Sequence, residues 1–201
     1  MGRLTPAELD AVTIDAYGTL LTIVDPFPEV EELLPGHERE DIERAFYTEG
    51  EFYRRHAQEA HDESSVTALR ERCVRVFNDA LGSSLSAEEY VGALQFEPLS
   101  GVVDALERLR SLGLTLAVVG NWDWTLHERL VESRLAGFFA VVVPAAGKPA
   151  PDGIVRALEL LRVDPARALH VGDEPGDETA ARAAGVHFLP APLAEAVASI
   201  A

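Results

Sequence analysis

Ala11-Val12-Thr13-Ile14-Asp15-Ala16-Tyr17-Gly18-Thr19 is the stretch whose reading decides the fold. A short, partly β-branched apolar run stops at an aspartate, and a glycine follows within three residues. Apolar residues bounded by turn formers read as a buried strand that ends in a tight turn. Everything downstream depends on whether further strands of this kind alternate with helices.

They do so after Glu97-Pro98-Leu99-Ser100, which reads as a linker. Val102, Leu106 and Leu109 mark an amphipathic helix closed by Gly113. Strands are expected over residues 114–119, 138–143, 168–171 and 186–189, with helices over 126–135, 154–161, 178–184 and 193–200. Five strands in alternation with helices predict an α/β fold with a doubly wound parallel sheet.

Residues 26–96 differ in character. They are rich in Glu and Arg and show helical spacing without a clear strand. Ile42, Ala45, Phe46, Glu49 and Tyr53 lie on one expected helix face, and Val66, Leu69, Cys73, Val76 and Phe77 on another. Ser86-Ala87-Glu88-Glu89 is a capping box that opens a third helix. The expected organisation is a core domain of residues 1–25 and 97–201, with a helical insertion at 26–96.

The 201 residues suffice for one core and a smaller subdomain. A formal net charge of -17 repels phosphate backbones, which argues against nucleic acid as a partner. Any anion site must then be built locally, from a metal, a lysine or helix N-termini. Cys73 is the single cysteine, so there is no disulfide framework, and its place on an apolar stripe predicts a core residue. No charged-then-apolar leader and no apolar run of about 20 residues is evident. Met1-Gly2-Arg3-Leu4-Thr5-Pro6 has proline where a myristoylation signal needs Ser or Thr. The expectation is a soluble cytoplasmic protein without a membrane partner.

Ligands of such sheets sit at the carboxyl ends of the strands. There the sequence places Asp15, then Gly120-Asn121-Trp122-Asp123, then Gly147-Lys148-Pro149, then Gly172-Asp173-Glu174-Pro175-Gly176-Asp177. Taken singly, each has an ordinary explanation: Asp15 in a turn, Lys148 on the surface, Asp173 and Asp177 capping a helix. Their joint placement points to chemistry instead. A carboxylate at the end of a buried strand can attack phosphorus or carbon to form an ester. Further carboxylates make an oxygen-rich site for Mg²⁺, and a lysine offsets the charge of nucleophile and substrate.

These segments resemble the motifs of haloacid-dehalogenase-like (HAD) hydrolases. Asp15-Ala16-Tyr17-Gly18-Thr19-Leu20 is similar to the first motif, and Gly147-Lys148-Pro149-Ala150-Pro151 to the third. His170-Val171-Gly172-Asp173-Glu174-Pro175-Gly176-Asp177, continued by Ala180-Ala181-Arg182-Ala183-Ala184-Gly185, is similar to the fourth. The stretch from Phe96 to Val102 resembles the return from a cap, and the resemblance spans the chain outside residues 26–95. It implies that Asp15 is the nucleophile and that Lys148 pairs with it. It also implies a Mg²⁺ site made by Asp15, Asp173, Asp177 and the Tyr17 carbonyl, with Asp177 orienting Lys148 or a metal-bound water. Residues 26–96 would be a mobile cap.

Two positions depart from that pattern. Phosphatases of the family usually carry an acid two residues after the nucleophile; Tyr17 stands there, as in 2-haloacid dehalogenases, which need no leaving-group acid. Gly120 replaces the Ser or Thr of the second motif and offers only its N–H, while Asn121 could supply an amide donor. The Asp173 and Asp177 pair points the other way, since a metal site has little purpose in halide displacement. The expected substrate is a small phosphorylated metabolite, such as an acyl or aryl phosphate, contacted by Thr19, Gly120, Asn121 and the insertion's Arg54. Arg55 and His56 are candidates beside it, and Trp122 and Trp124 would line the pocket or pack in the core. The alternatives are a haloacid dehalogenase-type hydrolase and a degenerate, non-catalytic HAD domain.

Overall fold

The computed structural model describes residues 4–200; residues 1–3 of the myristoylation reading lie outside them. All four residues of β1 (Ala11–Ile14) are buried. A strand with no exposed residue must sit inside a sheet covered on both faces. The other strands are β2 (Leu21–Ile23), β3 (Phe96–Pro98), β4 (Thr115–Val119), β5 (Val141–Val143), β6 (Ala168–Gly172) and β7 (His187–Pro190). The main sheet runs β5-β4-β1-β6-β7 and every pairing in it is parallel.

Alternation along the strands divides the core into two layers. Val12, Ile14, Leu116, Val118, Leu169 and Val171 face a cluster shared with α5 (Val102–Ser111) and α9 (Leu193–Ile200). Ala117, Val119 and Ala168 face the opposite cluster, shared with α7 (Asp152–Leu161) and α8 (Pro175–Ala184). Helices on both faces of a parallel sheet are the doubly wound architecture read from the sequence. On β1 and β6, Thr13 lies opposite His170 and Ile14 opposite Val171, so a polar pair faces the α7–α8 side within otherwise apolar strands.

The helical insertion leaves and re-enters the core through β2 and β3, which pair antiparallel. Between them lie α1 (Phe27–Leu33), α2 (Arg39–His56), α3 (Glu63–Leu81) and α4 (Ala87–Gly92). The predicted stripes are buried at Ile42, Ala45 and Glu49 and at Val66, Leu69, Cys73 and Phe77. The insertion has apolar clusters of its own, centred on Phe77 and Tyr90 and on Leu69 and Cys73. Its ends follow local chemistry. Asp62 accepts the Ser65 N–H to start α3, Gly82 at φ 75° ends it, and Ser86 with Glu89 caps α4 as expected.

Three local expectations change. Part of the supposed linker, Glu97-Pro98, is paired in β3, because Leu21 and Thr22 lie opposite it. The helix expected over 126–135 stops as α6 (Leu126–Glu132), and a 3-10 turn at Ala136–Phe138 delays the next strand to Val141. The short α1, which buries only Phe27 and Val30, carries too little periodicity to be read in advance. Among the described residues no helix is long and apolar enough to cross a membrane.

Candidate active site

β1 delivers Asp15 to the carboxyl edge of the sheet at its centre, and the Asp15 N–H donates to the Val171 carbonyl at 2.9 Å. The chain then turns back through Gly18, whose φ of +82° favours glycine. A Cβ at Gly18 would stand 2.3 Å from the Asp173 carboxylate, so this glycine admits Asp173 to the site. Gly172 does the same for the next acid: a Cβ there would lie 2.3 Å from Asp177 Cγ. Carboxylate oxygens of Asp15, Asp173 and Asp177 all fall within 4.8 Å of one another.

Lys148 Nζ donates to both Asp15 Oδ1 and Asp177 Oδ1, and its side chain is 4% exposed. Burial works against its ammonium, but the two carboxylates outweigh that and raise its pKa. Burial also dominates at Asp15, where it and the Asp177 charge overcome the pull of Lys148 and push the carboxyl up to about 7. Burial disfavours the Asp177 anion too, yet His170 and Lys148 hold that carboxyl down at about 2. One ammonium thus serves an excess of carboxylate, which is an environment suited to a cation.

The remaining groups fit a hard cation. Asp177 already has both oxygens occupied: Oδ1 by Lys148 and His170, and Oδ2 by the Glu174 N–H at 3.0 Å. Asp173 keeps Oδ2 free of side-chain donors among the described residues, while its Oδ1 accepts from Thr19 Oγ1 at 3.0 Å. No backbone donor among the described residues reaches the Tyr17 carbonyl. Asp15 and Asp173 therefore keep carboxylate oxygens that suit a hard cation such as Mg²⁺, which takes few protein ligands and retains waters, and the Tyr17 carbonyl, two residues after Asp15, is a further oxygen without a backbone donor. Asp177 fits better as the residue that orients Lys148 than as a ligand.

Sequence reasoning overlooked the support behind Asp177. His170 is fully buried, with Nε2 3.1 Å from Asp177 Oδ1 and Nδ1 2.9 Å from Thr13 Oγ1. Burial lowers its pKa, so the ring is neutral at neutral pH. A neutral ring is best placed with Nε2–H donating to the carboxylate and Nδ1 accepting the Thr13 hydroxyl. A visible signal existed: Thr13 and His170 are the polar residues in two otherwise apolar strands.

Several expected substrate contacts are engaged elsewhere. The Gly120 N–H donates to the Val143 carbonyl at 3.1 Å and is not available to a ligand. A Cβ at Gly120 would meet Ala16 Cβ at 3.0 Å and Leu126 Cδ2 at 3.3 Å, so a Ser or Thr there would require these neighbours to give way. Asn121 clasps the Lys148 backbone, its Oδ1 accepting that N–H at 2.9 Å and its Nδ2 donating to that carbonyl at 2.8 Å. It positions the lysine. The Thr19 hydroxyl is likewise directed at Asp173 rather than outward.

A cavity of about 400 Å³ opens from Asp15 and Lys148 toward α2. Its α2 wall is Phe46, Tyr47, Glu49, Gly50, Tyr53 and Arg54, and Tyr17 and Trp122 face them from the core. Arg54 is in no ion pair among the described residues, whereas Arg55 pairs with Glu51 and His56 turns Nδ1 to the Phe52 carbonyl. Trp122 is buried and packs between Tyr17 and Phe96, while Trp124 is exposed. Insertion and core are tied beside the cavity. Tyr53 donates its hydroxyl to Asp123 Oδ2 at 3.1 Å, and the Trp124 N–H donates to the Ala60 carbonyl at 2.9 Å.

Comparison with known proteins gives a consistent result. A family model described as haloacid dehalogenase-like hydrolase matches residues 9–185. The chain is 38% identical over 105 residues to haloacid dehalogenase-like hydrolase domain-containing protein 3 of Xenopus laevis, covering 50% of this chain and 43% of that protein. It is 34% identical over 94 residues to a phosphoglycolate phosphatase of Aquifex aeolicus, covering 44% of each. The chain thus spans less than half the length of these curated relatives. In fold it is similar to L-2-haloacid dehalogenase from Xanthobacter autotrophicus, with a TM-score of 0.69 at 23% identity, over 90% of this chain and 76% of that one.

Proposed function

Since the chain belongs to the haloacid dehalogenase-like hydrolases, we propose that it is a Mg²⁺-dependent phosphatase of a small metabolite that works through Asp15. The observation that carries this reading is the cluster of Asp15, Asp173 and Asp177 within 4.8 Å, two of them bridged by Lys148. A metal-free dehalogenase has no use for Asp173, whose Oδ2 accepts from no side-chain donor among the described residues, yet Gly18 is shaped to admit it.

In this reading an Asp15 oxygen attacks phosphorus and the ester bond to the leaving group breaks, which yields an aspartyl phosphate. Water then cleaves that intermediate and regenerates the carboxylate. Lys148 stays charged and offsets the negative charge that builds on Asp15 and the phosphoryl oxygens. Asp177, braced by His170 and the Glu174 N–H, holds the lysine in place, and Asn121 fixes its backbone. Asp15, Asp173 and the Tyr17 carbonyl would hold Mg²⁺, which when bound would supply further charge neutralisation. Residues 26–96 act as the cap that closes the cavity, with Arg54 as its anion-binding side chain.

Tyr17 sets the leaving-group class. No carboxylic acid stands two residues after the nucleophile, so the enzyme acts best on acyl or aryl phosphates, which depart without a proton. A place in the cytoplasm agrees with the single cysteine, Cys73, which is buried and free. The test measures phosphate release from acetyl and p-nitrophenyl phosphate beside halide release from a 2-haloacid, each with and without Mg²⁺. Mg²⁺-dependent phosphate release that is lost in Asp15→Asn is the expected result. Metal-independent halide release alone would overturn it in favour of a dehalogenase, and no turnover of either in favour of a non-catalytic domain.

A further inference from the structure

Gly50 lies in the interior of the eighteen-residue helix α2, where glycine is the least favourable residue after proline. A helical glycine is usually explained by a neighbour that leaves no room for a side chain. Here that explanation fails, because a Cβ at Gly50 would meet nothing within 4 Å. The space in front of it is the cavity that begins at Asp15. Phe46 and Tyr47 lie one turn before Gly50 and Tyr53 and Arg54 one turn after it on the same face of α2, at the spacing that puts side chains side by side.

Aromatic rings line this space beside Gly50, away from the charged groups at Asp15 and Lys148. Tyr17 and Tyr47 are 51% and 65% exposed, large rings left facing solvent at the cavity. Trp122 closes the core side behind Tyr17, with 6.4 Å between ring centroids. Flat apolar groups bind well between such rings. Within the α2 wall, Gly50 presents bare backbone between these side chains, and a backbone without a Cβ allows a ligand to approach closely.

From this geometry we propose that Gly50 is a specificity-determining residue, the floor of a leaving-group subsite that takes a flat aryl group between Tyr17, Trp122 and the face of α2. The inference rests on the phosphatase reading for the direction of the substrate: phosphoryl at Asp15, aryl group toward Gly50. It goes beyond that reading by choosing aryl over acyl phosphates and by naming the residue that makes the choice.

The experiment compares wild type, Gly50→Ala and Gly50→Leu on 1-naphthyl phosphate and acetyl phosphate, with thermal denaturation of each. Gly50→Ala should melt higher by roughly 2–4 °C, because it improves helix propensity in open space. The ratio of kcat/KM for naphthyl over acetyl phosphate should exceed unity in wild type. It should fall about threefold in Gly50→Ala and at least tenfold in Gly50→Leu. A ratio that Gly50→Leu leaves unchanged overturns the proposal, as does a melting temperature lowered in Gly50→Ala, which would reveal a packing role for the glycine. Binding of the non-hydrolysable 1-naphthylphosphonate, followed by calorimetry, separates the two readings. If no substrate turns over but Gly50→Leu weakens this ligand tenfold or more, the subsite stands and the phosphatase reading falls. If substrates turn over and the ligand binds both forms alike, the subsite falls and the phosphatase reading stands.

Discussion

Replacing Asp15 by asparagine removes the proposed nucleophile and should also make the metal-free protein more stable. Burial and the Asp177 charge push the Asp15 carboxyl from 3.8 up to about 7 in the folded state, despite Lys148. A carboxyl with a raised pKa favours folding in its protonated form. The penalty is absent below the unfolded pKa, grows as pH rises through the interval, and is complete above about 7. A shift of this size corresponds to at most about 4 kcal/mol, at 1.36 kcal/mol per unit. Asparagine resembles the protonated acid in volume and charge, so it should recover a large part of that figure. At roughly 2–4 °C per kcal/mol for a chain of this length, the gain is several degrees. The assay is thermal denaturation of both proteins in EDTA from pH 4 to pH 9. The difference should be near zero at pH 4 and reach its maximum above pH 7. Saturating Mg²⁺ should then raise wild type selectively, by about 2.7 kcal/mol at a hundred times Kd. A variant that melts below wild type at pH 8 in EDTA would refute the reasoning, because it would mean that the Lys148 pairing outweighs burial.

Asp173→Ala should abolish Mg²⁺ binding measured by calorimetry while the fold persists, since it removes one of the few oxygens left for the ion; unchanged binding would place the ion elsewhere. Tyr17→Asp should raise kcat/KM on alkyl phosphates far more than on aryl phosphates, because a positioned general acid is worth about 10²–10⁴ only where the leaving group needs a proton. Equal changes on both would mean that position 17 does not face the leaving oxygen. Glu49 is buried in the helical insertion with its carboxyl accepting the Tyr90 hydroxyl at 2.9 Å, and burial raises its pKa. Its ionisation costs stability as pH rises above the unfolded value, so Glu49→Gln should melt higher than wild type at pH 8 and lose that advantage toward pH 4. A difference independent of pH would show that Glu49 acts through packing alone.

The sequence by itself determined the sheet, its helical partners and the helical insertion, because each depends on local order. The apolar run before Asp15, the helical stripes of α2 and α3, and the Ser86–Glu89 cap act through neighbours a few residues apart. The motif residues Asp15, Lys148, Asp173 and Asp177 were legible because strand ends in a parallel sheet converge on one edge. Only the tertiary structure decided which of them touch. Thr13 meets His170 across 157 positions and Lys148 meets Asp15 across 133, contacts set by strand register and loop path rather than by spacing in the chain. The same holds for the groups that changed role. Gly120 gives its N–H to β5, Thr19 turns to Asp173, and Asn121 clasps Lys148, since a polar group takes whichever partner the fold brings within reach. The open space before Gly50 is of this kind as well: a helical glycine looks the same in sequence whether a neighbour or a cavity lies in front of it, and only the packing of α2 over the core distinguishes the two.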